Sequence, residues 1–130
     1  MKVANEWKDY EILDMSSGRK LERWGSYILD RPDPQIIWQD KMFPSMWHKK
    51  DAMYIRSNKG GGYWENISNI TPRWQVKYKE LTFNIKQMGF KHTGLFPEQA
   101  VNWDYMIDKI KSSKRKIKVL NLFAYTGGAT

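Results

Sequence analysis

The residues whose types and spacing could do chemistry lie together near the carboxyl end, in Leu120-Asn121-Leu122-Phe123-Ala124-Tyr125-Thr126-Gly127-Gly128-Ala129-Thr130. An apolar run over residues 117–124 passes into Tyr-Thr and then a glycine pair. Such a run fits a strand buried on both faces, as in the middle of a parallel sheet. Paired glycines after it tolerate positive φ and let a ligand approach the backbone with no Cβ in the way. In open α/β sheets, cofactors bind at this junction, at the carboxyl end of a strand. The chemistry expected here is therefore cofactor binding, and these residues form only the first half of such a site. Taken alone, Gly127-Gly128 is more often the mark of an ordinary strand-to-helix turn.

A second stretch, Lys91-His92-Thr93-Gly94-Leu95-Phe96-Pro97-Glu98-Gln99, leads into a predicted helix. Pro97 suits a first helical position and Glu98 suits the positive end of the helix dipole. Ala100, Trp103, Ile107 and Ile110 recur at spacings that make one apolar face. Lys109 and Lys111 fall in its last turn, where cations are favoured. His92 has no second titratable partner in view, so by itself it reads as a hydrogen-bonded structural residue before a base. His48, between Trp47 and Lys49, reads as a surface or hydrogen-bonding residue. Lys109, Lys111, Lys114, Arg115, Lys116 and Lys118 put six cations in ten residues with no acid among them. They could track phosphates, or they could form a solvated helix end and loop.

Upstream, the chain reads as strands and turns. Tyr10-Glu11-Ile12-Leu13-Asp14 precedes a turn at Ser16-Ser17-Gly18. A longer extended stretch over residues 20–31, with Gly25 as a bulge, stops at Pro32-Asp33-Pro34. Residues 53–56 and 63–65 flank Ser57-Asn58-Lys59-Gly60-Gly61-Gly62 and predict a hairpin with a flexible tip. Trp74, Val76 and Tyr78 alternate with polar residues, as do Leu81, Phe83 and Ile85 on the opposite parity. That shift predicts a bulge or a change of face at Lys79-Glu80. Trp38, Trp47, Trp64, Trp74 and Trp103 could stack on bases or serve as core aromatics of a small β layer.

Composition bounds the rest. A length of 130 residues with 41% hydrophobic residues suits a folded chain with a real core. With no cysteine, disulfides and thiolate metal sites are excluded. The first residues lack the apolar stretch of a signal peptide, and no run approaches a membrane span, so a cytoplasmic location is expected. The formal charge of +8 is uneven: residues 1–65 hold 11 Lys/Arg against 10 Asp/Glu, and residues 66–130 hold 11 against 4. A basic half beside 15% aromatic residues is compatible with binding RNA.

Three stretches, in this order, carry a resemblance. Leu21-Glu22-Arg23-Trp24-Gly25-Ser26-Tyr27 with Arg31-Pro32-Asp33-Pro34-Gln35 and Ile37-Trp38 is similar to the N-terminal region of one branch of the class I S-adenosylmethionine-dependent methyltransferases related to bacterial 23S rRNA large-subunit methyltransferases. His92-Thr93-Gly94-Leu95-Phe96-Pro97-Glu98-Gln99 resembles the segment ahead of their Rossmann-like sheet, which reads roughly Thr-Gly-Phe-Phe-Leu-Asp-Gln. Residues 120–130 resemble methyltransferase motif I.

The resemblance implies a cofactor, S-adenosylmethionine, and a set of residues around it. Phe123, Ala124, Tyr125, Thr126, Gly127 and Gly128 would line one wall, and His92, Thr93, Gly94, Phe96 and Glu98 an adjacent one. Asn121 departs from the acid common at that strand position, and Pro97-Glu98 departs from Leu-Asp, leaving Glu98 as a substitute acid or only a helix-start charge. The implied fold class is α+β: an antiparallel β-rich domain over residues 1–90, then the first helix and strand of a truncated Rossmann-like domain over 91–130. The implied activity is methyl transfer to rRNA by a longer parent; the ribose-binding acid and the target-base loop would lie downstream of Thr130, and the isolated residues are expected to be inactive. The terminal strand, with both edges unpaired, is expected to invite self-association. A protein or small-molecule acceptor, or a non-catalytic RNA-binding module using the basic half and exposed aromatics, remain the alternatives.

Overall fold

The computed structural model describes residues 1–130. Seven strands and one α-helix form a mixed α+β fold. Strands β1 (Tyr10–Ser16), β2 (Arg19–Trp24), β3 (Tyr27–Pro32), β4 (Ala52–Arg56) and β5 (Gly62–Asn66) make a five-stranded sheet in sequential order. Strands β6 (Trp74–Tyr78) and β7 (Leu81–Ile85) make a separate hairpin, and helix α1 spans Ala100–Lys111.

Local chemistry sets the turns. Ser17 and Gly18 both take positive φ, 51° and 73°, the pairing that a two-residue hairpin between right-twisted strands requires. The expected long strand over residues 20–31 is in fact a second hairpin. Gly25, at φ 63°, turns the chain instead of bulging it, and Trp24 pairs with Tyr27. Its reversal places Gly25 against the second hairpin, where an added Cβ would stand 3.3 Å from the Gln75 carbonyl oxygen. The parity shift at Lys79-Glu80 has the same cause: a tight turn with Lys79 at φ 52° pairs Trp74, Val76 and Tyr78 with Ile85, Phe83 and Leu81 on one face.

The first sheet is not wholly antiparallel, as the sequence had led one to expect. β3 and β4 run parallel, with Leu29 opposite Ala52 and Asp30 opposite Met53. Parallel neighbours need a crossover; residues 33–51 provide it, and a 3-10 turn at Pro44–Lys49 lies within them. The crossover is tied to β1 by Asp14, whose carboxylate accepts from Trp47 Nε1 at 2.8 Å and from the Phe43 amide at 3.0 Å. Trp38 Nε1 donates to the Met15 carbonyl at 2.7 Å. Trp64 and Trp74 likewise donate to the carbonyls of Met88 and Trp24. These indoles therefore hold structure.

One buried cluster joins both sheets and the helix: Trp24, Leu29, Ala52, Val76, Tyr78, Ile85, Leu95, Ala100 and Trp103. Trp103 packs against Phe83, Tyr78 and Trp7 at ring separations of 4.8, 5.8 and 6.0 Å. Trp7 Nε1 in turn donates to the Pro97 carbonyl at 2.9 Å. Helix α1 thus shares a core with residues on the other side of position 90. Of its expected apolar face, Ala100 and Trp103 are buried, Ile107 is half-buried and Ile110 is exposed.

The expected terminal strand is not formed. Residues 117–124 pair with none of the seven strands, and Leu120, Leu122 and Phe123 are exposed. No backbone–backbone hydrogen bond reaches residues 117–123. A strand is a ladder and exists only beside a partner. The apolar run encodes a preference for burial, and no segment of these residues lies alongside to satisfy it. Neither the Rossmann-like strand nor an unpaired strand edge for self-association is present as an element.

Candidate cofactor site

The two stretches singled out by the sequence do meet. Residues 92–94 continue the edge of β7: the Met88 amide donates to the His92 carbonyl at 2.9 Å and the Lys86 amide to the Thr93 carbonyl at 3.3 Å. From the other side, the Thr126 hydroxyl donates to the Gly94 carbonyl at 2.5 Å. The rings of Phe96 and Tyr125 lie 4.7 Å apart, and His92 stands 5.9 Å from Tyr125 and 6.2 Å from Phe96. A Cβ on Gly128 would come within 3.3 Å of the Leu95 side chain. Two walls separated by some thirty residues (Gly94 to Thr126, |i−j| = 32) are thereby closed against each other.

The loop after residue 122 owes its shape to left-handed residues at every second position: Phe123 (φ 55°), Tyr125 (φ 55°) and Gly127 (φ 83°). The Gly127 amide is held by the Ala124 carbonyl at 2.8 Å and the Thr130 amide by the Gly127 carbonyl at 2.9 Å. The amides of Thr126, Gly128 and Ala129 donate to no protein group. Asn121 Nδ2 donates to Thr130 Oγ1 at 2.8 Å, across the base of the loop.

Two clefts open on this junction. One, of about 290 Å³, is lined by Phe96, Gln99 and Trp103 together with Asn121, Phe123 and Tyr125. The other, of about 510 Å³, runs past Gly94, Thr126, Gly127 and Gly128 to Asn84 and Met88. Ala124 lines the smaller cleft. His92 lies behind Tyr125, half-buried. Thr93 is 1% exposed with its hydroxyl unpartnered, and it lines neither cleft. Glu98 points outward, exposed, and borders neither. The six cations from Lys109 to Lys118 are all exposed, with Lys109 standing over the Tyr105 ring.

Sequence reasoning missed the network that sets the first wall. Arg31, on β3, makes a two-point ion pair with Glu22 on β2: Nε to Oε2 at 2.6 Å and Nη2 to Oε1 at 2.7 Å. The remaining guanidinium nitrogen, Nη1, donates to the Lys91 carbonyl at 3.0 Å, and Lys91 Nζ donates to the Pro32 carbonyl at 2.7 Å. Tyr10 completes it by donating to Glu22 Oε1 at 2.6 Å. Burial alone would raise the Glu22 pKa, but the Arg31 charge and its hydrogen bonds win and hold the carboxyl below its usual range. Burial, then the Glu22 charge, pushes the Tyr10 hydroxyl well above its own usual value. The available signal was a glutamate and an arginine in strand-like stretches, each inside one of the matched motifs.

No group of three or more His, Asp or Glu side chains is arranged to hold a metal ion. No helix is long and apolar enough to cross a membrane.

No family model matches the chain. No curated protein sequence matches it either. Among solved structures, it is similar to the S-adenosylmethionine-dependent methyltransferase from Agrobacterium tumefaciens, with 33% identity across 95% of this chain and a TM-score of 0.87. The chain spans 39% of that protein's length. At this identity the likeness lies in sequence as well as in fold, and it supports the S-adenosylmethionine-dependent methyltransferase class.

Proposed function

We propose that these residues form part of an S-adenosylmethionine-dependent methyltransferase acting on rRNA, and that the junction of residues 92–98 with 123–128 is part of its cofactor site. The observation that carries the reading is the Thr126–Gly94 hydrogen bond with the Phe96–Tyr125 contact, which joins the two motif stretches around the clefts. The cofactor would supply a methyl group made electrophilic by its sulfonium. The chain's own residues bind and orient it. Free amides at Thr126, Gly128 and Ala129 suit its carboxylate. Phe96 and Tyr125, both exposed on one side, offer flat apolar surface to its remainder.

Nothing in the smaller cleft suits acid–base work: Tyr125 is its one titratable side chain. With no acid–base group lining the smaller cleft and His92 outside both clefts, the reading is that the 130 residues alone bind cofactor and do not turn over. The exposed cations at 109–118 would meet the RNA phosphates.

Titration calorimetry with S-adenosylhomocysteine tests the cofactor wall. Saturable binding is expected, lowered severalfold in Thr126→Val, with an unchanged melting curve. A folded chain that takes up no ligand at millimolar concentration would rule out this wall. So would equal binding by Thr126→Val and Gly128→Val. Labelled methyl transfer to rRNA by the chain alone would overturn the non-catalytic part of the reading.

A further inference from the structure

A third cleft, of about 400 Å³, shares no lining residue with the two at the cofactor junction and lies between the β4–β5 hairpin loop and the turn at residues 89–91. Its lining includes Arg56, Lys91, Gly61, Tyr54 and Phe90, and no acid. Arg56 ends β4 exposed and makes no hydrogen bond or ion pair with the protein. Lys91 spends one proton on the Pro32 carbonyl and keeps two. The Gly61 amide donates to no protein group. Tyr54 is 2% exposed, and its hydroxyl has no partner. Cations, a free amide and a stranded hydroxyl around one hollow are the fittings of an anion site.

Phe90 gives the cleft a second chemistry. It is 70% exposed and held at φ 55°, next to Lys91 at φ 66°. Two consecutive non-glycine residues in the left-handed region are costly, and such strain persists only where surrounding structure imposes it. Here the imposition is visible: Trp64 Nε1 fixes the Met88 carbonyl at 2.8 Å and Arg31 fixes the Lys91 carbonyl at 3.0 Å. The ring is presented to solvent beside Gly61, whose missing side chain would otherwise stand 3.9 Å from it.

We propose that this cleft holds one nucleotide of a single-stranded RNA, with a backbone phosphate against Arg56, Lys91 and the Gly61 amide and the adjoining base stacked on Phe90. Single strands are bound by this combination of basic groove and exposed aromatic face, because an unstacked base offers its whole ring. The inference rests on the rRNA reading above and deepens it by assigning a contact far along the chain from the 109–118 cations.

The test is fluorescence anisotropy of a short labelled single-stranded RNA with the whole chain at several salt concentrations. Phe90→Ala should weaken binding about 5- to 150-fold, the range for losing one stacked base. Phe90→Trp should restore it. Arg56→Gln should weaken binding and lower the salt slope by about 0.7, one phosphate contact on a single strand. Both positions are exposed, and melting by tryptophan fluorescence checks that the variants stay folded. RNA bound at full affinity by both variants, but lost when Lys114, Arg115 and Lys116 are changed to Gln, would overturn the cleft and leave the rRNA reading standing. No RNA binding by a chain that still takes S-adenosylhomocysteine would overturn the cleft and the RNA acceptor, and spare the methyltransferase. Binding of adenosine monophosphate without RNA would reassign the cleft to free nucleotides.

Discussion

Replacing Glu22 by Gln isolates what the buried network contributes. The side chain of Glu22 is fully buried and that of Arg31 is 9% exposed, so the guanidinium left behind can reach little water. Gln keeps the size and one acceptor, but its NH2 faces the guanidinium and the compensating charge is gone. Breaking one partner of a buried pair costs about 3–5 kcal/mol. A chain of 130 residues has roughly 7–20 kcal/mol in total, so the loss is large but survivable. At about 2.1 cal/mol/K of unfolding entropy per residue, the same 130 residues should melt roughly 11–18 °C lower.

Urea and thermal unfolding, followed by tryptophan fluorescence, give the number. The double replacement Glu22→Gln with Arg31→Met removes the stranded charge and should recover at least half of the loss. Acid supplies a second readout. The Glu22 carboxyl is held below its unfolded value, so its contribution is complete above that value, near pH 4.3, and fades as pH falls through the folded pKa. In Glu22→Gln that part of the acid dependence should vanish. A cost below about 1 kcal/mol, or a double variant no better than the sum of the singles, would refute the argument that the pair is a closed electrostatic unit.

Two further outcomes follow from the same geometry. Asp14 is also held below its usual range: burial opposes this, but Trp47 Nε1 and the amides of Phe43, Met15 and Met42 outweigh it. Its stabilisation is therefore present above about pH 3.9 and lost on acidification; Asp14→Asn should lower the Tm by roughly 4–8 °C at neutral pH, with the gap closing in acid. Gly62→Ala would put a Cβ 2.1 Å from the Ile55 carbonyl oxygen and 2.8 Å from the Tyr54 ring. It should cost roughly 1–3 kcal/mol in urea melts, whereas Gly89→Ala, which meets nothing within 4 Å, should stay within about 0.5 kcal/mol.

Local chemistry was legible in the sequence because it depends on neighbours along the chain. The Ser17-Gly18 turn, the hairpin around the Gly60-Gly61-Gly62 tip and the helix after Pro97 follow from residue types and their spacing, whereas the placing of residues 92–98 beside the glycine loop came from the family resemblance. Gly25 shows the limit: a bulge and a hairpin turn ask the same positive φ of a glycine, and only pairing with the opposite strand distinguishes them. The parallel β3–β4 pair was invisible for a similar reason, since direction is set by the crossover that Asp14 anchors 29 and 33 residues away. Residues 117–124 show the reverse case. Their apolar run states a demand for burial, and burial is a property of what lies alongside, which no run of residues encodes for itself. The Arg31–Glu22 network is of the same kind: two charges nine residues apart became one neutral buried unit only when β2 and β3 paired side by side in the sheet and the turn at Lys91 closed over them.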